Sequence, residues 1–236
     1  MPVTFTRAGA PAPAPTVLEP AATARLAPDL IGAGGPKVWV YRYVHPFTRW
    51  RLSIATHAEP GSGKLSLGGF RIAPEARTSA PGFDSDREAI GLALGMEEKV
   101  YWSRLIRVGG PLALRDTGRI VGGKCVLHPT PDARVGQPRD FELLDFAVAC
   151  FKDVEARAGF HLTTGQDLGH GLMSDGRTQS LEYLKRQFKG SVVADTSRPT
   201  GEGNYHVLAG MLRGFDIPLE QATVGLIGCG NIGMHV

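Results

Sequence analysis

Val121-Gly122-Gly123-Lys124-Cys125-Val126-Leu127 is an apolar, β-prone run that carries two glycines and a single charge. A buried strand has no need of any of the three. Glycine lacks a Cβ, so Gly122 and Gly123 allow another backbone or a ligand to come close, and the apolar residues behind Lys124 hold its amine on a rigid element instead of a loop tip. That is how a reactive amine is positioned. Taken alone, Gly-Gly-Lys is more often a surface turn with a solvated cation, so the flanking chain has to tip the balance.

Upstream, Asp84-Ser85-Asp86-Arg87-Glu88 supplies a capping aspartate and first-turn acids that suit a helix N-terminus, and Ile90, Leu92, Leu94 and Met96 continue the helix towards Lys99. Downstream, Leu143, Leu144, Phe146, Ala147, Cys150, Phe151 and Val154 recur at three- and four-residue steps, which predicts a helix over roughly 140–158. Val38–Tyr41 and Arg51–Ala55 read as strands. Phe160–Thr164 reads as a third, with Asp167 at its end in Gly165-Gln166-Asp167-Leu168-Gly169. A helix is expected over Gly201–Arg213, ended by Gly214 and the Ile217-Pro218 step, and then a strand Thr223–Ile227 that runs into Gly228-Cys229-Gly230-Asn231-Ile232-Gly233. Strands alternating with helices predict an α/β fold, a mixed sheet flanked by helices. The Ala-Pro repeats of residues 10–15 exclude helix and sheet ladders, so residues 1–36 are expected to form a disordered leader, with Pro11 to Pro28 clipped first by proteases.

Composition narrows the function classes. With 236 residues, 42% hydrophobic and 21% charged, the chain can bury a substantial core. A net charge of +3 on dispersed Lys and Arg argues against nucleic acid as the main partner. Cys125, Cys150 and Cys229 are odd in number and far apart, without zinc-binding spacing, so no metal site is expected and a reducing, cytoplasmic setting fits. No run approaches the roughly 18 apolar residues of a membrane span.

Six segments taken in order resemble the glutamate, leucine, phenylalanine and valine dehydrogenases, from about Trp39 to the last residue. They are Ala55-Thr56-His57 with Leu67-Gly68-Gly69-Phe70-Arg71, then Met96-Glu97-Glu98-Lys99, Gly122-Gly123-Lys124, Gln166-Asp167-Leu168-Gly169, Tyr205–Met211, and Leu219–Val224 leading into the glycine motif. The resemblance implies a substrate-binding and oligomerisation domain over 37–198, then a linking helix and the start of a truncated Rossmann domain over 199–236. It implies NAD or NADP held at Gly228, Gly230, Asn231 and Gly233, and a small 2-amino acid or 2-oxo acid as partner of a homo-oligomer. By the same resemblance Lys99 pairs with the substrate carboxylate, and Gly68 and Gly69 let the substrate reach backbone amides. Lys124 is the amine that a partly dry setting and a neighbouring cation let act as base or acid near neutral pH, and Asp167 relays a proton to and from the substrate nitrogen. His57 is read as structural and stays outside the site.

The sequence also departs from that family. Lys99 and Lys124 stand about twice the usual distance apart because Arg104–Arg119 holds an insertion, Tyr101-Trp102 brings bulk after the first lysine, and the family threonine of the linking helix falls at Gly203 or Glu202. Only three residues follow Gly233, so the helix that would bind the pyrophosphate and the acid expected about 20 residues on have no place to occur. As written the chain is expected not to hold NAD(P) and to be a fragment. Two functions follow: an amino-acid dehydrogenase that oxidatively deaminates a 2-amino acid, or a non-catalytic binding or assembly module derived from such an enzyme.

Overall fold

The computed structural model describes residues 11–105, 117–165, 170–192 and 196–236. The chain divides into two units, one of residues up to 193 and one of residues 194–236. In the first, β1 (Thr16–Leu18), α1 (Pro20–Leu26) and α2 (Pro28–Ile31) precede β2 (Trp39–Val44) and β3 (Arg51–Thr56). Then come β4 (Leu65–Leu67), β5 (Phe70–Ile72), α3 (Glu75–Thr78), α4 (Ser85–Leu105), β6 (Ile120–His128), α5 (Asp140–Ala158), β7 (His161–Leu162) and α6 (Ser180–Gln187). The strands form one curled mixed sheet in the order β1-β2-β3-β6-β4-β7, with β5 also on β6. The α/β expectation is met.

The period-two pattern of the strands sorts side chains to two faces. Tyr41, Tyr43, Leu52, Ile54, Phe70, Ile72, Cys125 and Leu127 meet Leu143, Leu144, Ala147, Phe151 and Val154 of α5 on one side. On the other, Val40, Ala55 and Val126 meet Ala89, Ile90 and Ala93 of α4. α5 occupies the predicted 140–158 and stops at Gly159, whose φ of 60° is the left-handed conformation that ends helices. Asp84 caps α4, its Oδ1 accepting from the N–H groups of Asp86 and Arg87 at 2.7 and 3.3 Å. Asp86, fully buried, ties the helix start to the sheet by accepting from the Arg42 guanidinium and from Ser53 Oγ.

Two expectations are corrected. Residues 16–31 are not a disordered leader: β1 pairs antiparallel with β2, Thr16 opposite Arg42 and Leu18 opposite Val40, and two short helices follow. Pro20 and Pro28 stand at the first positions of those helices, where a missing N–H costs nothing and a fixed φ favours the helix. Residues 1–10 lie outside the described residues. In the C-terminal unit, α7 (Ser197–Gly214) covers the helix expected over Gly201–Arg213, but Thr223–Ile227 is not a strand, and residues 222–229 have no regular structure. A β-prone run becomes a strand only when another strand satisfies its backbone groups, and this unit has none among its described residues. Ile227 is fully exposed accordingly.

Candidate functional site

The Gly-Gly-Lys run lies at the middle of the sheet. β6 pairs antiparallel with β3, Lys124 opposite Ala55 and Gly123 opposite Thr56. Its other edge is shared: β4 runs parallel to residues 120–122 and β5 to residues 125–127. Leu67 opposes Gly122 and Phe70 opposes Cys125, so β4 and β5 keep one register and break only at Gly68-Gly69, beside Gly123-Lys124. The ladder resumes where Gly69 O accepts the Cys125 N–H at 3.0 Å.

Close contact, not dihedral angle, favours glycine at three of these positions, against backbone at Gly68 and Gly122 and against a side chain at Gly123. A Cβ on Gly68 would stand 2.0 Å from Gly123 O, and one on Gly123 would stand 2.0 Å from Ser66 Oγ. One on Gly122 would stand 2.2 Å from Glu97 N in α4. The small residues therefore bring α4 and the β4–β5 break against β6 on either side of the lysine. Lys124, half-buried, lies between Gly122 and Val126 on the face that α4 covers. Its neighbour Cys125 faces the opposite core, where burial pushes the thiol up to about 12, so it supplies no thiolate.

Of the residues proposed from sequence, Lys124, Gly68 and Gly69 come together here. Lys99 does not turn the same way. α4 presents Ala93 and Glu97 to Gly122, and Lys99, two residues on, is exposed on the flank away from the sheet. Residues 166–169, with Asp167, and residues 106–116 of the Arg104–Arg119 insertion lie outside the described residues. The ends of the Asp167 segment are fixed to a single residue. Phe70 N–H donates to Gly165 O at 3.3 Å, and His170 Nε2 lies 2.9 Å from Phe70 O.

Two residues quoted from the sequence without a site role, Glu97 and His57, also meet here. Glu97 accepts the Gly122 N–H through Oε2, and His57 donates its backbone N–H to Gly122 O at 3.0 Å. His57 Nε2 is buried without a hydrogen-bond partner among the described residues. Burial, the largest cause, holds its pKa below the ordinary histidine value against the pull of Glu97. From sequence His57 is read as structural, and Glu97 stands only as a neighbour of Lys99.

In the C-terminal unit the glycine motif forms a tight turn. Gly228 takes a φ of 93°, and Gly233 sits so close to Gly228 O that a Cβ would stand 2.1 Å from it. The residues after Gly233 make a short 3-10 turn. Among the described residues no group of His, Cys, Asp and Glu could hold a metal ion, and no helix is long and apolar enough to cross a membrane.

The first unit thus belongs to the α/β class, with a curled mixed sheet between helices and a half-buried lysine beside a break in that sheet. No family model and no curated protein matches the chain. Among solved structures it is similar to L-tryptophan dehydrogenase from Nostoc punctiforme, at 17% identity over 89% of this chain and 51% of that one, with a TM-score of 0.49. The chain spans about half the length of that enzyme, and a likeness of this degree fixes neither family nor activity.

Proposed function

We propose that this chain carries the substrate-binding part of an amino-acid dehydrogenase-like oxidoreductase, acting on a 2-amino acid or its 2-oxo acid with NAD or NADP. The observation that supports the reading most is the arrangement at Lys124. Two contacts, Gly122 on Glu97 N and Gly68 on Gly123 O, put the backbones of α4 and of the β4–β5 break directly against the strand that carries the amine. These contacts pack α4 and the β4–β5 break on the sheet, and the same rigidity would hold the amine in place beside a small polar ligand.

In this reading Lys124 takes and returns a proton at the substrate's reacting carbon and nitrogen, and the backbone at Gly68-Gly69 receives the substrate. Asp167 serves the nitrogen. Gly228, Gly230, Asn231 and Gly233 would hold the dinucleotide, whose nicotinamide supplies the hydride chemistry. With no strand before Gly228 and only a 3-10 turn over Gly233–His235, these residues do not form the strand–turn–helix that binds a pyrophosphate, and their assignment rests on the motif alone. The substrate domain (37–198), the cofactor segment (199–236), a homo-oligomeric state and a cytoplasmic location belong to the same proposal. A second reading, a binding or assembly module without redox activity, is favoured by Lys99, which is exposed on the outer flank of α4.

Calorimetric titration with a 2-oxo acid of apolar side chain, together with NAD(P)H fluorescence in the presence of the matching 2-amino acid, separates the two. The enzyme reading expects saturable binding by this chain, and NAD(P)H formation once a complete dinucleotide-binding domain is joined to it. Lys124→Met should weaken binding about 10- to 100-fold, the loss of one charge-assisted hydrogen bond. Binding without NAD(P)H supports the module. Unchanged affinity in Lys124→Met refutes both as stated.

A further inference from the structure

β4 and β5 lie on β6 in one register, so an unbroken strand from Leu65 to Ile72 could pair along its length, and the register does not call for the break at Gly68-Gly69. Something else must hold the backbone out of the ladder, since each N–H and C=O that leaves a sheet needs a new partner. β7, the neighbour of β4 on its other edge, ends at Leu162. Beyond that point two half-buried side chains take over from it, Thr163 on Gly68 and His170 on Phe70.

The Thr163 N–H extends the ladder by one step, donating to Ser66 O at 3.1 Å. Its hydroxyl then binds both backbone groups of Gly68: Oγ1 accepts the N–H at 3.1 Å and donates to the carbonyl oxygen at 3.2 Å. On the other side of the break, Phe70 O accepts from His170 Nε2 at 2.9 Å. A carbonyl only accepts, so Nε2 carries the proton, and in the neutral ring Nδ1, 3.3 Å from Ser180 Oγ, accepts from that hydroxyl. Ser180 Oγ, fully buried, in turn accepts the Gly171 N–H at 3.1 Å. Asp140, fully buried at the start of α5, binds the Ser174 N–H and hydroxyl at 2.6 and 2.8 Å. The imidazole therefore stands on a platform tied to α5.

From the single register, the hydroxyl on both backbone groups of Gly68 and the imidazole on Phe70 O, we infer that Thr163 and His170 are positioning residues that hold the Gly68-Gly69 backbone in the broken form that receives the substrate. The inference rests on the reading that this backbone receives a 2-amino or 2-oxo acid. Neither residue is catalytic. Each acts through the peptide groups it holds, as the supporting shell of a preorganised site does.

The test uses the full chain, with calorimetric titration of a 2-oxo acid of apolar side chain and hydrogen exchange at the Gly68 amide. Thr163→Val keeps the side-chain shape and removes the hydroxyl, whereas Thr163→Ser keeps the hydroxyl. Thr163→Val should weaken affinity about five- to tenfold and speed Gly68 exchange, and Thr163→Ser should leave both near native. His170→Phe, which keeps a ring against Phe70 and loses the donor, should weaken affinity by a similar factor. Tyr43→Phe is the control: it removes a hydroxyl that bonds Asp153 at 2.9 Å between β2 and α5, and should lower the urea midpoint without changing affinity. Circular dichroism checks that each variant is folded. Native affinity in Thr163→Val or in His170→Phe, unchanged Gly68 exchange in Thr163→Val, or a Thr163→Ser chain as weak as Thr163→Val overturns the inference. So does an equal loss of affinity in Tyr43→Phe, which marks a role in stability alone. A native chain that binds no 2-oxo acid overturns the proposed function and this inference with it, whereas binding by the native chain that the variants leave untouched overturns this inference alone.

Discussion

Gly122→Ala tests the contact on which the candidate site depends. An added Cβ would stand 2.2 Å from Glu97 N, 2.5 Å from Glu97 Cα and 2.8 Å from Ala93 O. All three are backbone atoms of one helix, so no side chain can rotate away and α4 itself must lift. Overpacking of this kind costs about 1–3 kcal/mol, and displacing Glu97 from the Gly122 N–H forfeits a charge-assisted hydrogen bond of about 1.5–3 kcal/mol. The expected loss is about 3–5 kcal/mol, a large part of the roughly 5–15 kcal/mol that holds a domain folded. Trp39, Trp50 and Trp102 all lie in the sheet unit, so urea denaturation followed by tryptophan fluorescence reads that unit alone. Gly95→Ala is the matched control. It lies on the same helix with nothing within 4 Å of its added Cβ, and it should stabilise by about 0.5–1 kcal/mol through helix propensity. A Gly122→Ala chain within about 0.5 kcal/mol of the native one would refute the claim that glycine is there for close packing.

Two further outcomes follow from the buried polar groups. His45, His57 and His128 all have proton affinity lowered chiefly by burial, with Arg139 adding to this at His45 and Arg51 and Arg134 at His128. The unfolded chain therefore takes up these protons first, and stability should hold above about pH 6.5 and fall as pH drops below it. Denaturation midpoints that are flat or rising between about pH 7 and pH 5.5 would contradict this, and His128→Gln should remove part of the slope. Asp86→Ala leaves the Arg42 guanidinium and Ser53 Oγ without their partner and should cost about 3–5 kcal/mol. Asp86→Asn, which keeps an acceptor for Ser53, should cost less; equal costs would show that the acceptor for Ser53 contributes nothing, and an Asp86→Asn chain as stable as the native one would show that the charge pair contributes nothing.

The amino-acid sequence by itself determined the elements whose signals are local. α5 is legible because its apolar residues repeat at helical spacing over five turns and end at a glycine in left-handed geometry. The start of α4 is legible because Asp84 carries its own cap. The Gly-Gly-Lys run stood out for the same kind of reason, since two glycines and a charge within a β-prone stretch conflict with local preference. What depended on partners far along the chain could not be read. Thr16–Leu18 is a strand because β2 lies beside it, and Thr223–Ile227 is not one because no strand pairs with it among the described residues of its unit, although the second run is the more β-prone. Proline misled in the same way: it bars helix interiors yet favours first helical positions, and which applies depends on where the chain turns. Lys99 and Glu97 differ by two residues, about 200° around α4, and only the packing of that helix on Gly122 chose which of them faces the sheet. A sequence records periodicity and capping because they act over a few residues, whereas the side of a helix that meets a given strand is set by contacts made across the whole fold.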